Sequence, residues 1–206
     1  MRVGILGGTF NPPHVGHLIC AGEALWQLEL DRVVLMPVGE APHKTIEQDP
    51  GREVRYELCR LAAESSKSLE VSRFEVDKDG PAYTFETLAA LRAEQPENEL
   101  VFIMGADQAM TLSQWNEPER VLELAEVAVA ERDELRRAEV AGAVGGLRGA
   151  DRVCFFDMPL VDVSSTMVRE RVAAGAPFGH LVPERVAQRI TSAGLYRAPA
   201  GVEADA

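Results

Sequence analysis

Cysteine is scarce in this sequence of 206 residues, which contains only three. Cys20, Cys59 and Cys154 lie in apolar helix-like or strand-like patterns without Cys-x-x-Cys spacing. This placement favours packing in a core over a disulfide framework or a zinc site. The odd number of cysteines also favours a reducing compartment, and we predict a cytoplasmic protein.

Basic residues and long hydrophobic runs are scarce as well. The chain has 21 Lys and Arg against 33 Asp and Glu, a formal net charge of −12, which argues against a nucleic-acid-binding or anionic-membrane surface. Apolar runs such as Val153-Cys154-Phe155-Phe156 are too short to cross a bilayer, and the first residues resemble a strand rather than a basic and then apolar leader. We therefore predict neither a nucleic-acid partner nor a membrane partner.

Apolar strand-like runs alternate with helical patterns along most of the chain. The predicted strands are residues 3–6, 33–37, 69–76, 100–104, 127–130 and 153–156, and the predicted helices are 16–28, 53–64, 84–94 and one after residue 118. This alternation predicts an α/β fold with a doubly wound, mostly parallel sheet, in which ligands bind at the carboxyl ends of the strands where the strand order reverses. The length fits one domain over residues 1–197, followed by a disordered tail at 198–206.

Two segments are less regular than the rest. Residues 38–51 form a polar, proline-bearing stretch, which we predict to be a functional loop. Residues 138–150 are rich in Ala and Gly, and we predict that a helix frays there into a flexible connection.

The segment from Gly7 to Leu18 joins the first predicted strand to the first helix and reads GGTFNPPHVGHL. We interpret it as a phosphate-binding loop, in which Gly7 and Gly8 let the backbone turn sharply and the helix start presents free N–H groups. His14 and His17 share one face of the first helical turn, where two imidazoles can donate hydrogen bonds to charge developing on a phosphoryl group. The alternative is a plain strand-to-helix turn with a capping histidine. The segment is neither a dinucleotide fingerprint nor a Walker loop, because it lacks the third glycine and the Gly-Lys-Ser/Thr.

A second motif combines three hydroxyl residues with a following arginine. Ser164, Ser165 and Thr166 precede a helical pattern that carries Arg169 in its first turns. Alone, this pattern indicates a helix N-cap. Together with the first motif, it predicts a second phosphate cradle in which Arg169 grips the leaving polyphosphate through two hydrogen bonds.

Four further residues are candidates for substrate contacts. Lys44 follows Pro-His in the 38–51 loop and can reach a substrate phosphate, although it also fits an ordinary surface lysine. Thr84 is a predicted N-cap, and the N–H groups of its helix can bind a carboxylate. Asp107 follows the fourth strand after Gly105, where a carboxylate commonly accepts from ribose hydroxyls. Trp115 suits stacking on a planar ring, although a partly buried surface tryptophan is an equal alternative.

Taken together, these motifs resemble the bacterial nicotinate-nucleotide adenylyltransferase family of the HxGH nucleotidyltransferase superfamily. The matching elements run from Gly7 to Tyr196 and are GGTFNPPHVGHL, APHK (41–44), AYTFETL (82–88), GAD (105–107) with the following Trp115, SSTMVR (164–169) and the closing GLY (194–196). The first and the SSTMVR motifs specify the superfamily, and the elements between them narrow the resemblance to this family.

The resemblance implies a Rossmann-like nucleotidyltransferase fold and specific site residues. His14, His17, Lys44 and Arg169 are the implied catalytic residues. The implied ATP-binding residues are Gly7, Gly8, Thr9, Phe10, His14, His17, Gly105, Asp107, Arg132, Ser164, Ser165, Thr166 and Arg169. The implied residues for nicotinate mononucleotide are Lys44, Tyr83, Thr84, Asp107 and Trp115. In that arrangement the amides near Tyr83 and Thr84 receive the nicotinate carboxylate, and Trp115 stacks on the pyridine ring.

The resemblance also implies the reaction, which is in-line attack of the mononucleotide phosphate on the α-phosphorus of ATP to give deamido-NAD and pyrophosphate. Mg²⁺ is expected as the cofactor, bound to phosphates and water, because the sequence shows no clustered set of protein ligands. The expected partners are the two small-molecule substrates, and self-association into a homo-oligomer is left open. One departure concerns Glu131-Arg132-Asp133, which stands where the family usually has Arg-Pro-Gly and leaves the role of Arg132 open.

Three alternatives remain beside this function. Nicotinamide mononucleotide or phosphopantetheine can be the acceptor within the same superfamily. Cytidylyltransferases share the first motif but differ in the second. A non-catalytic nucleotide-sensing module is the alternative from another class, and it predicts loss of His14, His17, Lys44 or Arg169, all of which are present.

Overall fold

Six strands form one parallel sheet in the computed structural model, which describes residues 1–42, 45–131 and 133–198. Their order across the sheet is β3-β2-β1-β4-β5-β6. The strands are β1 (Arg2–Gly8), β2 (Arg32–Pro37), β3 (Leu69–Val71), β4 (Glu99–Gly105), β5 (Glu126–Ala130) and β6 (Val153–Phe156). The strand order reverses between β1 and β4, and the predicted doubly wound sheet is confirmed.

Helices cover both faces of the sheet. They are α1 (Val15–Gln27), α2 (Arg52–Ala63), α3 (Phe74–Asp77), α4 (Thr84–Glu94), α5 (Ala106–Ala109), α6 (Pro118–Leu124), α7 (Glu134–Val144), α8 (Ser165–Ala173) and α9 (Glu184–Ala193). Two short 3₁₀ turns lie at Leu112–Gln114 and Ala150–Arg152. Among the described residues, no helix is long and apolar enough to cross a membrane.

Alternation along β1 separates the two main cores. Val3 and Ile5 pack with α4, α6 and α7 on one face, whereas Leu6 packs with α1 on the other. A third cluster joins α2, α8 and α9 and includes Val168 and Tyr196. This cluster packs the C-terminal part of the chain against α2.

The cysteines occupy the places predicted for them. Cys20 and Cys59 are buried, Cys154 is partly buried, and all three are free thiols. Burial raises the pKa of the Cys20 thiol to about 12, as expected for a cysteine that packs in an apolar core.

Three local predictions were wrong. The strand predicted at 69–76 ends at Val71, because the Ser72 hydroxyl accepts a hydrogen bond from the backbone N–H of Phe74 (3.1 Å) and the chain turns into α3. The N-cap of α4 is Tyr83 rather than Thr84, which is the first helical residue. The fraying predicted from residue 138 does not occur, since α7 continues to Val144 and buries Val140 and Val144 in the core. Of the predicted tail at 198–206, the residues from 199 onward lie outside the described part of the chain.

Candidate active site

Gly7 and Gly8 are the last two residues of β1, and Gly8 pairs with Pro37 of β2. The prediction that they form the turn was therefore wrong. Their value lies in close packing, because a Cβ on Gly8 would stand 3.2 Å from Cε2 of Phe10. The turn comes at Phe10, whose φ of 49° lies in the left-handed region. The Phe10 ring is buried, and its centroid lies 4.8 Å from the centroid of the His17 ring.

Residues of the second motif hold the loop that follows β1. Nη1 of Arg169 donates to the backbone oxygen of Asn11 (2.9 Å), and the Ser165 hydroxyl donates to the backbone oxygen of Pro12 (2.8 Å). The hydroxyl of Tyr196 donates to Oδ1 of the buried Asn11 (2.8 Å), whose Nδ2 donates to the backbone oxygen of Glu47 (2.8 Å). The two predicted motifs, whose contacting residues lie 153 and 158 positions apart in sequence, are therefore one structural unit.

His14 and His17 stack at the start of α1. Their ring centroids are 3.8 Å apart, and His14 is the N-cap residue. The backbone N–H of His14 donates to Nδ1 of His17 (3.1 Å), which leaves the proton of a neutral His17 on Nε2. Nε2 is thus available as a donor.

Burial keeps both imidazoles neutral. It lowers the pKa of His14 to about 4, and it lowers the pKa of His17 well below its ordinary value, with a further decrease from the neighbouring His14. Near neutral pH the pair therefore offers hydrogen-bond donors rather than permanent positive charges.

The hydroxyls of the second motif already have partners within the protein. Ser164 caps α8, and its Oγ accepts from the backbone N–H of Met167 (3.1 Å). Oγ1 of Thr166 accepts from Nη2 of Arg169 (3.2 Å). Arg169 is buried, its Nη2 lies 3.9 Å from a carboxylate oxygen of Glu47, and its buried Nε has no partner among the described residues. Arg169 thus has a structural contact to the first motif that the sequence did not predict.

A cavity of about 490 Å³ opens beside this unit at the point where the strand order reverses. Gly7, Gly8 and Thr9 form one wall, and Phe102 of β4 forms another. Its lining also includes Tyr83, Thr84 and Trp115, three of the residues predicted to contact the mononucleotide.

The start of α4 and the indole of Trp115 suit two parts of an aromatic acid. The backbone N–H groups of Glu86 and Thr87 donate to the backbone oxygen of Tyr83 (3.1 and 3.2 Å), so the N–H groups of Thr84 and Phe85 are the ones that can receive an anion. Trp115 is partly buried, stands edge-on to Phe102 (ring centroids 6.2 Å apart, 75°), and donates from Nε1 to Oγ1 of Thr111 (3.3 Å). This bond fixes the indole at the cavity wall.

The remaining predicted residues lie at the edge of the site or outside the description. Gly105 ends β4, and Asp107 lies in the first turn of α5, where its side chain is 90% exposed and pairs with Arg136. Lys44, its neighbour His43, and Arg132 lie outside the described residues.

Arg55 is a site residue that the sequence reasoning missed. Its guanidinium is fully buried and donates to the backbone oxygens of Thr9 (3.1 Å), Val38 (2.6 Å) and Gly39 (3.0 Å). Its Nε donates to Oδ1 of Asp49 (2.9 Å). Arg55 thereby ties together the chain segments that leave β1 and β2. The signal was present, since Arg55 lies three and four residues before Leu58 and Cys59, on the apolar face of α2.

Glu75 is a second residue that the sequence reasoning missed. It is buried in α3, lines the cavity, and accepts a hydrogen bond from the hydroxyl of Thr87 (2.7 Å). Burial raises its pKa, while the Thr87 hydrogen bond and the nearby Lys78 act in the opposite direction.

Comparisons with known proteins agree with this geometry. The cytidylyltransferase-like family model matches residues 5–171. The chain is 39% identical over 199 residues to the "Probable nicotinate-nucleotide adenylyltransferase" of Moorella thermoacetica, which covers 95% of this chain and 92% of that protein. It is 35% identical over 195 residues to the nicotinate-nucleotide adenylyltransferase of Bacillus subtilis, covering 95% of this chain and 98% of that protein.

A solved structure shares the fold. The Plasmodium falciparum nicotinic acid mononucleotide adenylyltransferase complexed with NaAD superposes with a TM-score of 0.74 at 13% identity, covering 95% of this chain and 97% of that chain. The parallel sheet and the motif at its switch point define a nucleotidyltransferase fold. Because the sequence similarity extends over nearly the whole chain, the protein belongs to the nicotinate-nucleotide adenylyltransferase family, as its motifs predicted.

Proposed function

We propose that this protein transfers the adenylyl group of ATP to nicotinate mononucleotide, forming deamido-NAD and pyrophosphate. The observation that carries the proposal is the cavity where the glycines of β1, the start of α4 and Trp115 meet. The glycines admit a phosphate-bearing chain, the helix start receives a carboxylate, and the indole stacks on a ring. The family relatives named above support the same assignment.

The chemistry needs no base on the protein. An oxygen of the mononucleotide phosphate forms a bond to the α-phosphorus of ATP, and the bond from that phosphorus to the bridging oxygen of pyrophosphate breaks. The attacking oxygen is already anionic, so no proton has to leave it. Catalysis therefore depends on positioning and on stabilisation of the charge that develops on the α-phosphate and the leaving pyrophosphate.

His14 and His17 are the proposed donors to these phosphates. Nε2 of His17 carries the proton because Nδ1 accepts from the backbone of His14. We assign the ATP phosphates to the loop from Gly7 to Phe10 and to the start of α8 at Ser164, Ser165 and Thr166, with Arg169 holding the two together.

The other assignments complete the two substrate sites. Gly105, Asp107 and Arg132 are proposed for the nucleoside part of ATP, and Asp107 also reaches the mononucleotide ribose. Lys44 is proposed to contact the mononucleotide phosphate and, with Arg169, to stabilise developing charge. Tyr83, Thr84 and Trp115 bind the nicotinate group at the cavity.

Mg²⁺ is the proposed cofactor and supplies charge neutralisation on the phosphates when it is bound. Among the described residues, no group of three or more His, Cys, Asp or Glu side chains is arranged to hold a metal ion. We therefore propose an ion that is held mainly by phosphate oxygens and water and that enters with ATP.

The test is pyrophosphate release by purified protein with ATP and Mg²⁺, using nicotinate mononucleotide, nicotinamide mononucleotide and phosphopantetheine in parallel. We expect a strong preference for nicotinate mononucleotide, because the helix start favours an anion over a neutral amide. Preference for another acceptor would retain adenylyl transfer and overturn the acceptor. No release with any acceptor would favour a nucleotide-sensing module.

A further inference from the structure

Glu75 gives the cavity an unexpected charge. Glu75 is the only described residue lining the cavity that has a formal charge at neutral pH, and that charge is negative. The same cavity presents the start of α4, which attracts an anion. A carboxylate beside a carboxylate-binding site weakens binding unless the ligand also carries a positive charge.

Glu75 forms no ion pair with a basic side chain in the part of the chain that the structure describes. Its hydrogen bond comes from the neutral hydroxyl of Thr87, at 2.7 Å. Lys78, three residues further along the chain, instead donates to the backbone oxygen of Pro81 (2.8 Å) and pairs with Glu86. The second carboxylate oxygen of Glu75 has no hydrogen-bond partner among the described residues, and Glu75 lines the cavity.

The proposed acceptor carries the complementary charge. The ring nitrogen of nicotinate mononucleotide is bonded to ribose, so the ring is a pyridinium cation. The same ring carries an anionic carboxylate group. We propose that Glu75 is a specificity residue that recognises the cationic ring, while the start of α4 receives the ring's carboxylate. This inference rests on the proposed function, because it takes the pyridine mononucleotide as the occupant of the cavity.

This division of labour accounts for the arrangement of the two elements. The helix start alone would accept any flat aromatic acid of suitable size, and Trp115 would stack on it. A buried carboxylate adds attraction for a cationic ring and repulsion for a carboxylate that is carried by an uncharged ring. Glu75 and the start of α4 together therefore select a ring that carries both charges over an uncharged ring with a carboxylate.

The test compares two ligands that differ in ring charge. One is nicotinate mononucleotide, and the other is the benzoate C-riboside phosphate, which keeps the carboxylate, ribose and phosphate but has a neutral phenyl ring. Dissociation constants are measured by calorimetry for the wild type and for Glu75→Gln, which keeps the size of the side chain and its capacity to accept from Thr87.

We expect Glu75→Gln to weaken binding of nicotinate mononucleotide by about tenfold and to leave binding of the phenyl analogue unchanged or tighter. A purely structural role would weaken both ligands equally and would overturn the proposal. Tighter binding of nicotinate mononucleotide to Glu75→Gln would also overturn it, because it would show that the residue normally repels the ligand carboxylate or donates to it as an acid.

Two further variants test whether the change in ring-charge preference is specific to Glu75. Thr87→Val removes the hydroxyl that holds Glu75, so we expect a smaller loss of ring-charge preference in the same direction. Glu94→Gln removes an exposed carboxylate at the far end of α4 and should leave the preference at the wild-type value. Turnover of nicotinate mononucleotide by the wild type, with no change of preference in Glu75→Gln, would overturn this inference alone. If the wild type neither binds nor turns over that ligand, the proposed function fails together with the inference.

Discussion

At the scale of single residues, the site depends on polar groups whose state is set by burial. His14 and His17 are neutral because charging them inside the protein is unfavourable. Neutral imidazoles keep one N–H donor each, and the backbone of His14 determines which nitrogen of His17 carries it. The catalytic role that we propose for this pair therefore rests on directed hydrogen bonds.

His17→Ala should lower kcat for pyrophosphate release by about 10² to 10³, with little change in the free energy of unfolding, because the lost donor acts on charge that develops in the transition state. Steady-state kinetics and urea denaturation measure the two effects. His180→Ala is the matched control, since His180 is exposed and outside the site. A folded His17→Ala protein with turnover within a few-fold of wild type would refute the assigned role.

The low pKa of His14 makes stability depend on pH. The unfolded chain binds a proton near pH 6.5, whereas the folded protein binds it near pH 4. The stabilisation is therefore complete above the unfolded pKa and is lost as the pH falls towards the folded pKa. Between about pH 7.5 and about pH 5 we expect His14 to contribute a loss of about 2 kcal/mol in the free energy of unfolding.

Urea denaturation at the two pH values measures this loss, and His14→Asn should lack about that much of the wild-type pH dependence. His180→Asn is the matched control for the substitution, because His180 is exposed and lies outside the site. Equal pH dependence in wild type and His14→Asn would contradict the assignment.

At the scale of elements, Arg55 fixes the ends of β1 and β2. Its three hydrogen bonds to backbone oxygens replace the ladder contacts that end where these strands diverge. Gly39, whose backbone oxygen Arg55 contacts, lies very close to α3. A Cβ on Gly39 would stand 2.1 Å from the backbone oxygen of Glu75. The cavity wall therefore depends on one side chain of α2.

Arg55→Met should lower the free energy of unfolding by about 3 kcal/mol or more, because it leaves buried carbonyl oxygens and the Asp49 carboxylate without their donor. Urea denaturation measures the loss. Arg60→Met on the same helix is the control, since Arg60 is exposed and should change stability by less than about 0.5 kcal/mol. Similar small losses of stability for both variants would show that Arg55 does not hold the ends of β1 and β2 together.

The sequence predicted those elements best whose signals are local. The strand at Val153–Phe156 and the helix at Thr84–Glu94 match their predictions, and Pro118 begins α6 at its first turn. The apolar residues of Phe74–Asp77 were assigned to a strand, because a run this short has no periodicity that separates a strand from a helix.

Site residues divide in the same way. Tyr83, Thr84 and Trp115 could be predicted because they lie in motifs, and the structure brings them to one cavity. Arg55 and Glu75 were missed because their function depends on partners from other segments, such as Val38 for Arg55 and Thr87 for Glu75. Those pairings arise only when the sheet assembles.

At the scale of the whole molecule, the C-terminal part of the chain supports the N-terminal loop. Tyr196 and Arg169 both reach Asn11, and Asn11 in turn holds the backbone of Glu47 in the 38–51 loop. A disturbance at Tyr196 should therefore reach the loop after β1 and the 38–51 loop, both of which contact substrates in the proposed function. Stability and substrate affinity should change together when this link is cut.

Tyr196→Phe removes the hydroxyl that donates to Oδ1 of Asn11 and leaves that buried oxygen without a donor. We expect a loss of about 1 to 2 kcal/mol in the free energy of unfolding and a KM for ATP raised several-fold, about threefold to tenfold, because the loop after β1 loses one of its anchors. Tyr56→Phe is the matched control, since the Tyr56 ring contacts Arg73 rather than the site.

A double-mutant cycle with Asn11→Ala isolates the link itself. The coupling free energy between Tyr196→Phe and Asn11→Ala should be about 1 kcal/mol, because the two side chains share one hydrogen bond. Stability losses that simply add would mean that Tyr196 acts through packing in its apolar cluster. In that case the KM for ATP should not change in Tyr196→Phe, whose ring still fills the same space, and the C-terminal residues would support the fold without supporting the site.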